Sequence, residues 1–343
     1  MAQATDQRAL TYAQAVNEAL RQTMASDNKV FVMGEDIAGG AGREDQGKSD
    51  AWGGPFRLTK GLIGDFGPDR VRDTPISEAG FLGAGVGAAA TGMRPVVDLM
   101  FSGFFGVCAD QIVNNAAKMR YMFGGQATLP VVYRALMMYG GGAAAHHSDR
   151  SYPMFMNMPG IKIVVPSNPA DVKGLLKTAI RDDDPVIFFE DGTISGMRGE
   201  VPDEEYLTPF GEANIVKEGN DCTIVAIGGA VNHAISAAES LTKDGISVEV
   251  IDPRTLVPLD KSSILNSVEK TGRLVVVDPA HKVCSAASEI ASIVAEEGFW
   301  SLQAPIQKVA SEQVHIPFTP VLEKLVYPDA TKISNAVKKT LED

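Results

Sequence analysis

The stretch Asp73–Phe101, DTPISEAGFLGAGVGAAATGMRPVVDLMF, predicts a helix followed by a strand. Small and apolar residues fill the part from Ala79 to Met93, and the apolar run Pro95–Met100 follows it. Such runs alternate with helical patterns elsewhere in the first half of the chain, at 30–33, 129–136, 161–165 and 185–189. This alternation predicts a parallel sheet with helices on both faces, so the fold class is α/β.

The chain divides into two α/β blocks that a polar segment separates. A length of 343 residues is typical of two domains. A segment rich in proline, glycine and charged residues follows Glu190. A second series of apolar runs comes after it, at 222–227, 247–251 and 274–277. We therefore expect a first domain at 1–195, a linker at 196–212 and a second domain at 213–343, each domain with a doubly wound parallel sheet.

Composition excludes several classes of partner. With 43 acidic and 31 basic residues the net charge is -12, which argues against nucleic acid and against an anionic membrane surface. No apolar stretch of about 20 residues predicts a membrane span. The three cysteines, Cys108, Cys222 and Cys284, lie far apart without metal-binding spacing, so we expect a reducing compartment and place the protein in the cytoplasm.

The glycines Gly83, Gly85 and Gly87 have two interpretations. They resemble a dinucleotide fingerprint, but such a loop follows a strand directly, and Pro75 interrupts any strand here. Small residues also recur every four positions from Gly80, which lets a second helix approach closely. The pattern therefore favours tight helix packing over a nucleotide loop.

Glu78 is the only charged residue between Asp73 and Arg94. A carboxylate buried without a partner loses hydration, so its pKa would rise and it would tend to hold a proton. The alternative is an ordinary acid in the first turn of a helix, which the helix dipole stabilises. The second interpretation does not explain why other charges are missing from the segment.

The pair His146-His147 lies in a glycine- and alanine-rich loop that follows a predicted strand. Neighbouring side chains point apart in an extended chain, so the pair is a poor joint ligand for a metal. The pair is either a polar surface turn or a source of acid–base chemistry near pH 7, since loops at strand ends often hold the sites of α/β proteins.

Several motifs in one order resemble the beta subunit of the thiamine-diphosphate-dependent 2-oxo acid dehydrogenase decarboxylase component. They include DTPISE, RPVVDLMF, the AAAHHS loop, PGIKIVVPSNPADVKGLLKTAIRDDDPVIFFE and IDPRTLVPLD, and the resemblance runs from about Leu10 to Lys339. The segments EDQGKSDAWGG, KMRYMFGGQA and RDDDPVIFFE are most similar to acetoin dehydrogenase beta subunits. Pyruvate and branched-chain 2-oxo acid dehydrogenases are the close alternatives.

The resemblance implies a transketolase-like pyrimidine-binding domain followed by a transketolase C-terminal domain. It implies an enzyme that cleaves the bond next to a carbonyl and passes the acyl fragment to lipoamide on a dihydrolipoyl acyltransferase. It also implies an alpha subunit in an α2β2 heterotetramer, whose GDG…N motif holds Mg²⁺ and the diphosphate. The text Glu190-Asp191-Gly192 does not supply that motif in this chain.

Individual site residues also follow from the resemblance. Glu78 corresponds to the glutamate that activates thiamine diphosphate by a hydrogen bond to the pyrimidine ring nitrogen. His147 corresponds to a histidine that assists proton transfer or orients the acyl acceptor. Apolar positions correspond to the walls of the cofactor site: Phe104, which would stack on the pyrimidine, Ile76 and Met100.

One cation site and one departure complete the comparison with the family pattern. Ala179, Asp182 and Asp184 match a loop that binds a monovalent cation such as K⁺, although a solvated acidic turn explains the same residues. In the loop that contains His146 and His147, His146 stands where the family usually has a glutamine, and the triple glycine Gly140–Gly142 is unusual. These departures leave the identity of the substrate open. Two other classes remain, a standalone nucleotide-binding oxidoreductase and a non-catalytic interaction subunit.

Overall fold

The computed structural model describes residues 8–39 and 53–342, so most of the motif EDQGKSDAWGG lies outside the described residues. Its contacts divide the chain into two compact units. The first unit takes Met1–Met137, Asn157–Val164 and Asn168–Pro209. The second takes Met138–Met156, Val165–Ser167 and Phe210–Asp343.

Helices and strands alternate along the described residues. The helices are α1 Tyr12–Ser26, α2 Leu62–Phe66, α3 Glu78–Ala90, α4 Phe105–Asp110, α5 Ala117–Met122, α6 Ala144–His147, α7 Tyr152–Met156, α8 Pro169–Arg181, α9 Ala230–Lys243, α10 Lys261–Thr271, α11 Ala286–Glu297, α12 Pro320–Val326 and α13 Ala330–Glu342. The strands are β1 Arg8–Thr11, β2 Val30–Gly34, β3 Val71–Asp73, β4 Arg94–Phe101, β5 Val132–Met137, β6 Lys162–Val164, β7 Val186–Asp191, β8 Arg198–Val201, β9 Asn214–Lys217, β10 Cys222–Ala226, β11 Val248–Asp252, β12 Thr255–Val257, β13 Leu274–His281 and β14 Gln307–Ser311. A π-helical segment, Gln111–Ala116, joins α4 to α5.

The first unit is built on a parallel sheet whose strand order is β6-β7-β5-β4-β2-β3. Local signals set its helices. Thr11 and Gln14 form a reciprocal capping box at the start of α1, and Asn168 caps α8, which begins with Pro169. The strands β2, β5 and β7 are buried along their whole length, as strands covered on both faces should be.

The second unit holds a mixed sheet with the order β14-β13-β10-β11-β9. Its first four strands are parallel, but the edge strand β9 runs antiparallel to β11. The core is rich in alanine and valine from β10, β13, α9 and α13. The predicted fold class, two α/β units with doubly wound sheets, is confirmed apart from this antiparallel edge.

The segment expected as a linker, 196–212, is not wholly irregular. Its residues Arg198–Val201 form β8, which pairs with β1 in a small antiparallel sheet of the first unit. The polar composition concealed the strand, because Arg198 and Glu200 of β8 are exposed and only Val201 is buried.

No helix among the described residues is long and apolar enough to cross a membrane.

Candidate active site

Three adjacent strands of the first unit, β3, β2 and β4, end at the same edge of the sheet. Glu35 follows the last residue of β2, Glu78 begins α3 five positions after β3 ends, and Met100 lies in the last two residues of β4. The carboxyl ends of parallel strands are where open α/β sheets bind ligands. The structure thus brings the predicted residues Glu78 and Met100 to one edge.

Glu78 is the first residue of α3 and is half-buried rather than fully buried. Ser77 precedes it as the N-cap residue but makes no side-chain capping hydrogen bond. The carboxylate lies in the first turn of the helix, where the helix dipole stabilises it, as the second interpretation predicts. The expectation of full burial is not met within the single chain.

The buried acid at this edge is Glu35, which sequence reasoning did not select. Its residue is 7% exposed, and its Oε1 atom has no hydrogen-bond partner among the described residues. Burial raises the pKa of Glu35 to about 7, and the negative charges of Glu78, Asp36 and Asp98 act in the same direction. Glu35 can therefore hold a proton near neutral pH beside the ionisable group of Glu78.

Cys108 of α4 also responds to Glu78. Burial raises the pKa of the Cys108 thiol to about 12, and the charge of Glu78 adds to the increase. The thiol is thus unreactive at neutral pH and acts as a small apolar wall. The effect of Glu78 on the pKa of Cys108 indicates that α4 lies near Glu78.

Met100 has an unusual backbone conformation. Its φ angle is 70°, in the left-handed region that residues other than glycine seldom adopt. The backbone N–H of Met100 donates to Asp98 Oδ1 at 2.9 Å, and Asp98 Oδ2 pairs with Arg134 Nη1 at 3.0 Å. Arg134 is buried and also pairs with Glu190 at 2.6 Å. This chain of charges fixes the end of β4, where the register with β5 shifts.

The other two predicted wall residues differ in exposure. Phe104 ends a short 3₁₀ turn after β4, is half-buried, and meets the ring of Phe101 edge-on at 5.5 Å. Ile76 is 82% exposed. Within the described residues Phe104 is thus held by its neighbours, whereas Ile76 would gain burial only from a ligand or partner.

His147 belongs to the second unit, together with the rest of its loop. It is the last residue of the four-residue helix α6 and is half-buried, whereas His146 is exposed. The histidines therefore differ in environment although they are neighbours. The structure places His147 as a residue of the unit that also contains α12 and α13.

The residues expected to hold a monovalent cation are charge-balanced within the chain. Both carboxylate oxygens of Asp182 accept from Lys162 Nζ at 2.7 Å, and Asp184 pairs with Lys162 and Arg120. The backbone carbonyl of Ala179 accepts from the Asp182 N–H at 3.3 Å. Among the described residues there is no cluster of acidic, histidine and cysteine side chains suited to a metal. Within the described residues both carboxylates are thus paired with lysine and arginine side chains, and the monovalent-cation site stays a prediction.

The glycines of α3 serve packing rather than nucleotide binding. Gly83, Gly85 and Gly87 all lie inside the helix, not in a turn between strand and helix. A Cβ atom at Gly85 would lie 2.7 Å from Val97 Cγ2 of β4, so only glycine permits the observed approach. The dinucleotide interpretation therefore lacks its required geometry.

Comparison with known proteins identifies both units. The family model "Transketolase, pyrimidine binding domain" matches residues 8–193, and "Transketolase, C-terminal domain" matches residues 211–333. The beta subunit of acetoin:2,6-dichlorophenolindophenol oxidoreductase from Cupriavidus necator is 51% identical, over 98% of this chain and 98% of that relative. Its counterpart from Bacillus subtilis is 49% identical, over 98% and 97%.

The chain belongs to the beta-subunit family of the thiamine-diphosphate-dependent acetoin and 2-oxo acid dehydrogenases. The 2-oxoisovalerate dehydrogenase subunit beta of B. subtilis is a more distant relative in the family, 41% identical over 97% of this chain and 99% of its own length. Among solved structures, a chain described as "Split gene transketolase, inactive beta4 tetramer" has a TM-score of 0.76 at 24% identity, covering 97% of this chain and 98% of that one. That likeness supports the fold alone.

Three residues of this family member escaped the sequence analysis. Glu35 was detectable as part of an acidic pair directly after a buried strand, a position typical of functional loops. Arg134 was detectable as a single charge inside an apolar run. Asp98 gave no signal of its own, because its action on the Met100 backbone depends on local geometry.

Proposed function

We propose that this chain is the beta subunit of a thiamine-diphosphate-dependent enzyme that cleaves acetoin or a closely related acyloin or 2-oxo acid. Identities of 49% and 51% to two acetoin oxidoreductase beta subunits, against 41% to the 2-oxoisovalerate subunit, support acetoin as the first substrate to test. Pyruvate and branched 2-oxo acids are the alternatives.

The observation that carries the proposal is the pair of acids at the edge formed by β3, β2 and β4. Glu78 is half-buried at the start of α3, and Glu35 beside it has a pKa raised to about 7. An aminopyrimidine ring nitrogen needs a carboxyl group that can share a proton with it. A carboxyl group at this edge with a second acid near it that holds its proton near neutral pH fits that requirement.

Each side chain at this edge has a distinct task in the proposed mechanism. Thiamine diphosphate, when bound, supplies the electron sink that allows a bond next to a carbonyl to break. Glu78 would hold a proton at the pyrimidine nitrogen, and Glu35, whose own pKa is raised by burial and by the charge of Glu78, would add no second negative charge there while it is protonated. Phe104 and Met100 present apolar surface, which keeps water from the carboxyl group and favours proton sharing.

His147 is the proposed second acid–base group. An imidazole changes its charge between pH 5 and 8, so it can donate a proton to a developing alkoxide or orient an acyl acceptor. Its residue is half-buried at the end of α6, so part of it can face a ligand.

We further propose an alpha subunit as the obligate partner, in an α2β2 heterotetramer that delivers its product to a lipoyl acyltransferase. The name "subunit beta" of the relatives supports a partner, and the chain has no GDG…N motif with which to hold Mg²⁺ and a diphosphate. Cys108, Cys222 and Cys284 are all free thiols, consistent with assembly in the cytoplasm.

The test is reconstitution with an alpha subunit that carries the GDG…N motif, thiamine diphosphate and Mg²⁺. Activity with acetoin is followed by reduction of 2,6-dichlorophenolindophenol. Glu78→Gln should lower kcat by about 10²- to 10⁴-fold, because it removes the proton-sharing carboxyl group. Glu204→Gln, at an exposed position of the first unit, is the matched control and should be neutral.

Two outcomes would overturn the proposal. Full activity of the Glu78→Gln complex would indicate a non-catalytic interaction subunit. Oxidation of a simple alcohol by the chain alone with NAD would indicate a nucleotide-dependent enzyme. A panel of acetoin, pyruvate and branched 2-oxo acids, compared by kcat/KM, then decides the substrate.

A further inference from the structure

We propose that Arg150, Glu323 and Tyr327 are positioning residues that clamp the histidine loop, residues 138–150, to helix α12 and the residue that follows it. The inference rests on the proposed function, in which His147 takes part in the chemistry. All the residues concerned belong to the second unit.

The histidine loop has a backbone that needs external support. Gly140, Gly141 and Gly142 have φ angles of 73°, 68° and 74°, and Ala144 has 54°. Glycine loses the most conformational freedom on ordering, and alanine is strained in the left-handed region. The helix that follows, α6, has four residues, none of them buried. A loop of this kind stays in one conformation only when its surroundings hold it.

Arg150 joins the two ends of the histidine loop. Its Nη1 atom donates to the carbonyl oxygen of Met138 at 3.0 Å and to that of Ser148 at 2.5 Å. The same nitrogen lies 2.7 Å from Tyr327 Oη, so its two N–H groups are shared among three acceptor oxygens, and the guanidinium carbon lies 4.3 Å from the centre of the Tyr327 ring. The planar, permanently charged guanidinium suits such a stacked and hydrogen-bonded arrangement, which a lysine cannot reproduce.

Helix α12 provides a second attachment. The carboxylate of Glu323, on a residue that is 2% exposed, accepts from the backbone N–H of Gly140 at 2.8 Å. The ring of Phe318 fills the space in front of Gly142, where a Cβ atom would lie 2.8 Å from it. Gly140 and Gly142 thus each have their own partner in the segment 318–327.

The attachments lie close to His147 in the chain. Ser148, whose carbonyl oxygen Arg150 holds, is the next residue, and Arg150 is three positions away. A displacement of about 1 Å at a catalytic group can lower a rate by 10²-fold. Fixing the chain on both sides of the four-residue helix therefore determines where the imidazole lies.

Tyr327→Phe is the most conservative test, because it removes one hydroxyl and keeps the ring. Tyr121→Phe is the control, since Tyr121 is 89% exposed and belongs to the first unit, so that the same chemical change is made away from the histidine loop. In the isolated full chain, hydrogen exchange of 138–150 should become about tenfold faster in Tyr327→Phe and stay unchanged in Tyr121→Phe. Arg150→Lys is a second variant with the same expected result.

Kinetics of the reconstituted enzyme separate positioning from general stability. Tyr327→Phe should lower kcat by roughly 10- to 100-fold with little change in the KM for substrate, while the melting temperature of the chain stays close to that of the wild type. In a His147→Ala background the same substitution should have no further effect, because the group that it positions is gone.

The outcomes distinguish the two proposals. If Glu78→Gln and His147→Ala leave activity intact, the proposed function is wrong, and the exchange result still decides whether the clamp exists. If His147→Ala is impaired but Tyr327→Phe has wild-type exchange and wild-type kcat, the clamp is wrong. If Tyr327→Phe lowered activity equally in the wild-type and His147→Ala backgrounds, the clamp proposal would also be wrong.

Discussion

The carboxylate of Asp98 accepts a hydrogen bond of 2.9 Å from the backbone N–H of Met100, whose φ angle is 70°. Asp98 is in turn paired with the buried Arg134. The left-handed conformation of a methionine at the end of β4 is therefore maintained by a charged network rather than by its own preference.

Met100→Gly and Met100→Ala should differ in stability although both remove the same side chain. Glycine adopts φ of 70° without strain, so the glycine variant should have a free energy of unfolding about 1 kcal/mol higher than the alanine variant. Urea unfolding of the isolated chain measures the difference. Equal stabilities would mean that the conformation at position 100 is not strained.

Glu35 should make stability depend on pH. Its pKa is raised from 4.5 to about 7 in the folded chain, so between these values the folded form retains a proton that the unfolded form has released. The stabilisation is complete below about pH 4.5 and is lost as pH rises through 7, by up to about 3 kcal/mol.

Glu35→Gln removes this dependence, because the amide does not titrate. Relative to the wild type, the glutamine variant should gain stability between pH 5 and pH 8, measured as the shift of the urea midpoint. Glu204→Gln, an exposed control, should follow the wild type at both values. A parallel response of wild type and Glu35→Gln would show that Glu35 has an ordinary pKa.

We expect the ammonium group of Lys162 to neutralise the turn that contains Asp182 and Asp184, so that no external cation is needed there. Burial alone would lower the pKa of Lys162, but hydrogen bonds and charges of Asp182 and Asp184 outweigh burial and raise it. The melting temperature should therefore be the same in potassium chloride and in choline chloride at equal ionic strength.

Loss of that ammonium group should destabilise the chain. Lys162→Met leaves the half-buried Asp182 without its partner and should lower the free energy of unfolding by about 1 to 3 kcal/mol. Lys118→Met, at an exposed lysine bound to Asn114, is the control. A wild-type chain that melts earlier without K⁺ would instead indicate a bound cation.

Two glycines of α3 should respond oppositely to alanine. Gly85→Ala forces a methyl group to within 2.7 Å of Val97 Cγ2 and should lower the free energy of unfolding by about 1 to 3 kcal/mol. Gly87 has open space where its Cβ atom would lie, so Gly87→Ala should raise it by up to about 1 kcal/mol. Destabilisation of the isolated chain by both would contradict the packing of α3 on β4.

Much of the fold was predictable because local patterns and tertiary packing agree. The capping box at Thr11, the Asn168 cap and the alternating apolar runs all specify elements that the structure contains. The pattern of apolar residues did not predict elements whose residues are only slightly buried. Strand β8 lies in a polar segment, and the periodicity of apolar residues does not encode the antiparallel direction of β9 relative to β11.

The candidate site was predictable only in part. Glu78 was visible as a lone charge in an apolar segment, but the raised pKa of Glu35 depends on its burial and, after that, on charges that the fold brings near it. The conformation of Met100 has no sequence signal, since methionine does not favour positive φ. The role of Arg150 has no local signal in the sequence, because its partner Tyr327 lies 177 positions away.

Membership of the histidine loop in the second unit limits how genes of this family can be recombined. A chimera joined between Pro209 and Phe210 would take residues 138–156 from one parent and α12 from the other. Such a protein would keep two intact sheets yet combine an arginine at position 150 with whatever residue the other parent supplies at position 327. A functional exchange of the C-terminal domain therefore requires that residues 138–156 come from the same parent as that domain, although they are encoded in the first half of the gene.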